Sequence, residues 1–225
     1  MNITDFNTTV SSRGDRMKSS KKRVLSLLLL VALAIPMLVG NAFAATDVTA
    51  SMKKKSGVVK LAKYTNSYMV LKQTSEKSHS TKTMTLSNKT KINYIAKTSY
   101  DWLGSSSYSS SKVKTRSKNF FGTSVDLSAV PKTVKSGWNM RRKTSSSYVY
   151  TGGDWGNYAP KYSITKITKV KTGVYDVKIT NYLYSYDTNA KKKTGVTTMR
   201  IKKASSSYYG YVITSIKYSS TGVRM

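Results

Sequence analysis

Between Val174 and Tyr186 the side chains alternate, with Tyr175, Val177, Ile179 and Leu183 interleaved with Asp176, Lys178, Thr180 and Tyr182. A strand sends successive side chains to opposite faces. A period of two over this length therefore demands a sheet with one buried face and one wet face. Gly173 and the turn-like Lys171-Thr172 precede the segment, and a polar run from Asp187 to Lys193 follows it as a loop. Residues 162–170, 195–203 and 208–218 read as three further strands, the last two joined through residues 204–207. Short connections of this kind predict a four-strand antiparallel meander.

Upstream the pattern is less regular. Thr, Ser, Tyr, Val and Ile dominate the chain while Ala, Leu, Glu and Gln are scarce, a mix that favours strands over helices. Short strand candidates fall at residues 58–63, 68–72, 81–86 and 91–97. Their spacing of about ten residues fits a small sandwich or barrel. Residues 104–118 are Ser- and Lys-rich with little to bury, and residues 104–125 read as a long loop or linker. The expected fold is mainly β: a strand-rich segment over residues 45–103, then an antiparallel β domain over residues 126–225 that forms a small open barrel, calycin-like, or a sandwich.

Residues 17–44 carry the pattern of a secretory signal peptide. Lys18, Lys21, Lys22 and Arg23 precede an apolar run over residues 24–39, and Ala42-Phe43-Ala44 supplies the small-x-small cleavage pattern. Met17 stands directly before the basic cluster, which makes residues 1–16 an expected upstream extension. The run is short and interrupted by Pro36, so a cleaved leader is expected and no membrane span after cleavage. The chain has no cysteine, which removes both disulfides and the thiol that bacterial lipoproteins need for lipid attachment. The last residues show no sorting motif. Free secretion or non-covalent retention at a cell wall is the expected address.

Charge narrows the partners. The chain has 39 Lys and Arg against 9 Asp and Glu, a formal net charge of +30. The positives are spread along the whole length, so the folded protein repels itself and binds polyanions wherever it meets them. Outside a Gram-positive cell those are teichoic acids and acidic glycans. Lys166, Lys169, Lys171, Lys178, Lys191, Lys192, Lys193, Lys202 and Lys203 fall on the predicted meander and form the candidate contact set. Tyrosine beside lysine adds stacking to charge. Tyr182, Tyr184 and Tyr186, which share a strand face with Lys178, join Trp102 and Trp155 as candidates for stacking on sugar rings. Single-stranded nucleic acid is a minor reading, since no ribonucleoprotein motif accompanies the aromatic residues.

Catalytic patterns are sparse. The lone histidine, His79, sits in a polar turn, and no nucleophile elbow, phosphate loop or dinucleotide fingerprint is present; neither a cofactor nor a metal is expected. Two carboxylates adjoin tryptophans, Asp101 before Trp102 and Asp154 before Trp155. A pair of acids is enough for glycoside cleavage. A wall-glycan hydrolase using Asp101 or Asp154 is therefore the second alternative, behind a β-barrel that binds a small ligand or glycan. The leading expectation is a non-enzymatic, cationic envelope protein.

Val130-Pro131-Lys132-Thr133-Val134-Lys135-Ser136-Gly137-Trp138 resembles the entry segment of small basic proteins exported by lactobacilli and related Gram-positive bacteria. Those proteins carry a Pro-Lys-x-x-x-x-Gly-x-Trp-like entry into a Thr- and Lys-rich β-meander; here Gly137 and Trp138 adjoin, which departs from that spacing. The likeness spans residues 126–218. It implies a calycin-like or open-barrel domain on an envelope protein and carries over no catalytic residue. Residues 86–94 also resemble the strand-turn-strand of bacterial SH3-like wall-binding modules, with Asn88 where glycine is common there.

Overall fold

The computed structural model describes residues 45–224. The expected leader over residues 17–44 and the extension before it lie outside the described residues. The described residues form one compact unit.

Four long strands dominate: β6 (Tyr158–Lys171), β7 (Val174–Ser185), β8 (Lys191–Lys203) and β9 (Tyr211–Thr221). They pair antiparallel in sequence order, which is the expected meander. Two short strands from the first half of the chain complete the sheet, β1 (Thr46–Asp47) on β6 and β2 (His79–Met84) on β9. The order is β1-β6-β7-β8-β9-β2, so the six-stranded sheet stays open. Mainly β and antiparallel is the right class. The segment expected at residues 81–86 is a strand, but it extends the same sheet at its edge.

The other early segments are helices. α1 (Thr49–Met52) is a single turn, α2 (Ser56–Thr74) contains both stretches read as strands at 58–63 and 68–72, and α3 (Asn88–Leu103) contains the one at 91–97. The likeness of residues 86–94 to a strand-turn-strand module fails for the same reason. Residues 45–103 are thus mostly helical, contrary to the strand-rich reading. Within the supposed linker, β3 (Ser107–Ser109) leads into α4 (Ser110–Phe121). β3 pairs with β5 (Ser147–Tyr150), which pairs with β4 (Met140–Arg142), making a separate three-stranded sheet. The polar run after β7 is also shorter than expected, because Lys191, Lys192 and Lys193 already belong to β8.

Helix signals are present at these sites. Ser87 and Ser109 are N-caps whose side chains accept from the backbone N–H of Thr90 and Lys112, each at 3.2 Å. Gly104 and Gly122 close the same two helices with left-handed φ of 57° and 73°, a region that glycine enters without a Cβ penalty. Ile92, Ile95, Ala96 and Ser99 stand at helical spacing within α3, where every residue from Ile92 to Ser99 is buried. Val113, Ser117, Phe120 and Phe121 are the buried residues of α4, again at helical spacing.

One face of the sheet packs on α2, which touches β6, β7, β8 and β9. Ile167, Val177, Ile179, Met199, Ile201 and Ile216 supply that face, and Val58, Leu61, Ala62 and Met69 meet them in one core. α2 also packs on α3, and α3 on α4, giving a third layer. From Leu61 to Val70 every α2 residue except Lys63 is buried, Thr65, Asn66 and Ser67 included. A helix wrapped on all sides shows no polar stripe, which is why its sequence does not announce it.

Its last turn is locked to the sheet by Gln73, which is fully buried. The amide Nε2 donates to the Ser219 carbonyl at 2.9 Å, and Oε1 accepts from the Thr194 hydroxyl at 2.9 Å. The Ser220 hydroxyl donates to the Gln73 carbonyl. Gly195 makes room for this contact, since a Cβ there would run into the Ser219 carbonyl and the Gln73 amide.

Candidate polyanion-binding face and aromatic cleft

Alternation sorts the long strands into a face that α2 covers and an opposite, more open face. Ile167, Val177, Met199 and Ile216 are buried on the first. Their chain neighbours Lys166, Lys178, Thr198 and Lys217 project to the second, and the three lysines are exposed. Register brings these four into one row. Lys166 stands opposite Lys178, Lys178 opposite Thr198, Thr198 opposite Lys217, and Lys217 opposite Thr83 of β2. Directly opposed side chains have Cβ atoms about 5 Å apart, so Lys166 and Lys178 repel each other at close quarters. Lys178 and Lys217 flank Thr198 from the strands either side, about 10 Å apart by strand spacing. A shallow cavity of about 330 Å³ opens along this row, lined by Thr81, Lys178, Val196, Thr198, Lys217 and Ser219 among others. Two ammonium groups flanking hydroxyl-bearing side chains make a seat for an anionic group.

Carboxylates do little to offset this charge. Asp176 lies opposite Arg200 and accepts from Arg200 Nε at 2.7 Å and Nη2 at 2.9 Å. That bidentate pair raises the Arg200 pKa through the hydrogen bonds and the charge of Asp176. Asp47, at the β1 edge, caps α1 by accepting from the Thr49 N–H and hydroxyl. Those two hydrogen bonds hold its carboxyl below the usual value.

Six of the nine lysines expected to bind polyanions share this open face by register. Lys166 and Lys178 are in the central row, Lys171 and Lys202 flank Val174 in another, and Lys191 and Lys193 stand opposite Tyr184 and Tyr182. The other three belong to the core-side rows. Lys169 pairs with Tyr175, Lys192 with the buried Leu183, and Lys203 with Tyr211. Sequence reasoning missed Lys217, Lys161 and Arg200. Lys217 had a readable signal, because it sits between Ile216 and Tyr218 in the same alternation.

A second feature is lined by residues of α2, α3, β6, β7 and β8. A cleft of about 430 Å³ is lined by Lys63, Trp102, Pro160, Lys161, Tyr162, Tyr184 and Lys191. Three expected site residues, Trp102, Tyr184 and Lys191, come together here. Ammonium groups lie over the rings: Lys63 is 4.0 Å from the Trp102 ring centre and Lys161 is 5.7 Å from that of Tyr184. Lys191 lies 3.9 Å from the ring centre of the adjoining Tyr182. Tyr186 is beyond the end of β7, well exposed, with its ring edge-on to Tyr184 at 5.3 Å.

The Asp-Trp pairs go elsewhere. Asp101 is buried and forms an ion pair with Lys97, one turn earlier on α3, at 2.9 Å. Its other oxygen accepts from the Ser67 hydroxyl and from Trp155 Nε1 at 3.1 Å. Lys97 lies 4.1 Å from the Trp155 ring centre and donates to the Gly153 carbonyl. Burial pulls the Lys97 pKa below its ordinary value, with Asp101 opposing that shift. Both Asp101 oxygens and the Trp155 N–H are therefore committed within the protein. Asp154 is exposed and accepts from the Gly156 N–H, closing its own loop. This arrangement joins α2, α3 and the loop after β5 through one buried charge pair.

No protein-family model, curated protein or solved structure matches this chain.

Proposed function

We propose that the protein is exported and associates, without catalysis, with the anionic polymers of a Gram-positive cell envelope, teichoic acids or acidic glycans, through the open face of its six-stranded sheet. One observation carries this reading: Lys166, Lys178 and Lys217 stand in a single cross-strand row on the face opposite α2. Opposed like charges destabilise a sheet. Bound phosphates or carboxylates relieve that repulsion, and the counterions they release on binding add a favourable entropy. The leader-like residues 17–44 and the net charge of +30 agree with an extracellular address and an anionic partner.

Cell walls with and without teichoic acid, mixed with the purified protein and titrated with salt, test the proposal. Retention should fall steeply and log-linearly with salt, with a slope set by the number of phosphates neutralised, and should fail on stripped walls. Reversing two charges in the central row (Lys178→Glu with Lys217→Glu) should flatten that slope. Retention that ignores both salt and teichoic acid would overturn the reading.

A further inference from the structure

From the aromatic cleft we infer a second site, one that takes a single anionic pyranose unit: a sugar ring bearing a carboxylate or a phosphate. The cleft shares Lys191 and Tyr184 with the open face but none of the central row of Lys166, Lys178 and Lys217. Trp102, Tyr162 and Tyr184 give the cleft three rings, and Lys63, Lys161 and Lys191 give it three cations. Its volume of about 430 Å³ falls in the range of small-molecule sites. The axial C–H face of a pyranose is apolar and weakly positive, and an aromatic face is weakly negative, so ring stacks on ring.

The lysines make the selection. Lys63 and Lys161 lie over the Trp102 and Tyr184 rings. A neutral sugar would displace these cation–π contacts and offer the ammonium groups only hydroxyl oxygens in exchange. An anionic sugar draws the ammonium groups off the rings into charge-assisted hydrogen bonds while its C–H face takes their place. Lys63 and Trp102 come from two helices packed together, and the other lining residues come from paired strands, so the cleft is preformed.

The test uses methyl glucuronoside and glucose 1-phosphate as anionic probes, methyl glucoside as the neutral control and uridine monophosphate as a stacking anion without a pyranose. Saturation-transfer NMR and tryptophan fluorescence are read at about 0.5 M salt, where diffuse electrostatic binding is screened. The expected result is saturable transfer to the C–H protons of one or both anionic sugars, with little to methyl glucoside. Preference between the two names carboxylate or phosphate as the natural group. Reversing the surface charges (Lys161→Glu with Lys191→Glu) should weaken binding at least about tenfold with melting temperature unchanged. The milder Trp102→Phe should abolish the fluorescence change while keeping the fold. Equal binding of methyl glucoside, binding of uridine monophosphate alone, absence of transfer, or no loss in the charge-reversed variant would each overturn the inference. Wall retention at low salt, compared with the Lys178→Glu and Lys217→Glu variant, reports on the central row, whose residues do not line the cleft, so the two readings fail separately.

Discussion

Lys97 and Asp101 show how one turn of helix can hold a buried charge in place. At i and i+4 on α3 they meet at 2.9 Å with side chains almost wholly out of water. Such a pair adds little net stability over an apolar replacement, but breaking it by removing one partner leaves an uncompensated buried charge. Lys97→Met should therefore destabilise the protein by about 3–5 kcal/mol. Adding Asp101→Asn in the same chain should recover part of that loss, and urea unfolding of the two variants measures both. If the single variant unfolds at the wild-type midpoint, the pair carries no structural weight. At this scale the sequence was legible only in part. The neighbours Asp101-Trp102 and Asp154-Trp155 looked like equivalent sugar-reading pairs. Folding joins the acid of the first to the tryptophan of the second, and leaves Trp102 to the cleft.

Elements carry a different set of consequences. Gly195 lets the Gln73 amide sit against β8 and β9, and Gly57 lets the start of α2 approach the Tyr209 carbonyl. A methyl group at either point meets backbone, which cannot swing aside. Gly195→Ala and Gly57→Ala should each cost about 1–3 kcal/mol, read as a fall in the thermal midpoint. Ser87→Ala removes the α3 N-cap and should cost about 0.5–2 kcal/mol by the same measurement. The caps and glycine stops of α3 and α4 were in the sequence, as were their helical spacings. Their Ser-, Thr- and Tyr-rich composition pointed the other way, because strand propensity is a statement about half-buried surfaces and tertiary packing overrides it. The long strands needed no such correction, since a regular alternation with one face wet has few other solutions.

For the whole molecule the ionisable groups set a stability window in pH. Asp47, Glu76 and Asp126 all have folded pKa values lowered from 3.8, 4.5 and 3.8. Hydrogen bonds from Thr49, Lys82 and Ser128 respectively are the main causes. The unfolded chain thus takes up these protons first. The stability they contribute is present above those ordinary values and is lost as pH falls through the folded ones. At the alkaline end burial raises the folded pKa of Tyr68, Tyr94, Tyr108, Tyr150 and Tyr209 above 10.0, and Tyr218 is pushed up to about 12. Stability from these neutral phenols is complete below 10.0 and is lost as pH rises through the folded values. Thermal melting should accordingly plateau between about pH 5 and 9 and fall on both sides. A melting temperature unchanged at pH 11 would contradict the burial of the tyrosines. Salt should raise the plateau by screening a net charge of +30, while weakening wall retention.

The sequence by itself determined the antiparallel meander, because alternation is a local property, while which of its lysines share a face waited on the register between strands. It also determined the excess of positive charge, which no fold can alter. Only the tertiary structure decided that α2 is buried between the sheet and α3, that β1 and β2 from the first half edge the sheet formed by the second, and that Trp102, Tyr184 and Lys191 meet in one cleft. Those outcomes depend on residues far apart in sequence finding one another across a shared core. A helix buried on every side and a cleft assembled from two helices and three strands leave no periodic trace in the chain that makes them.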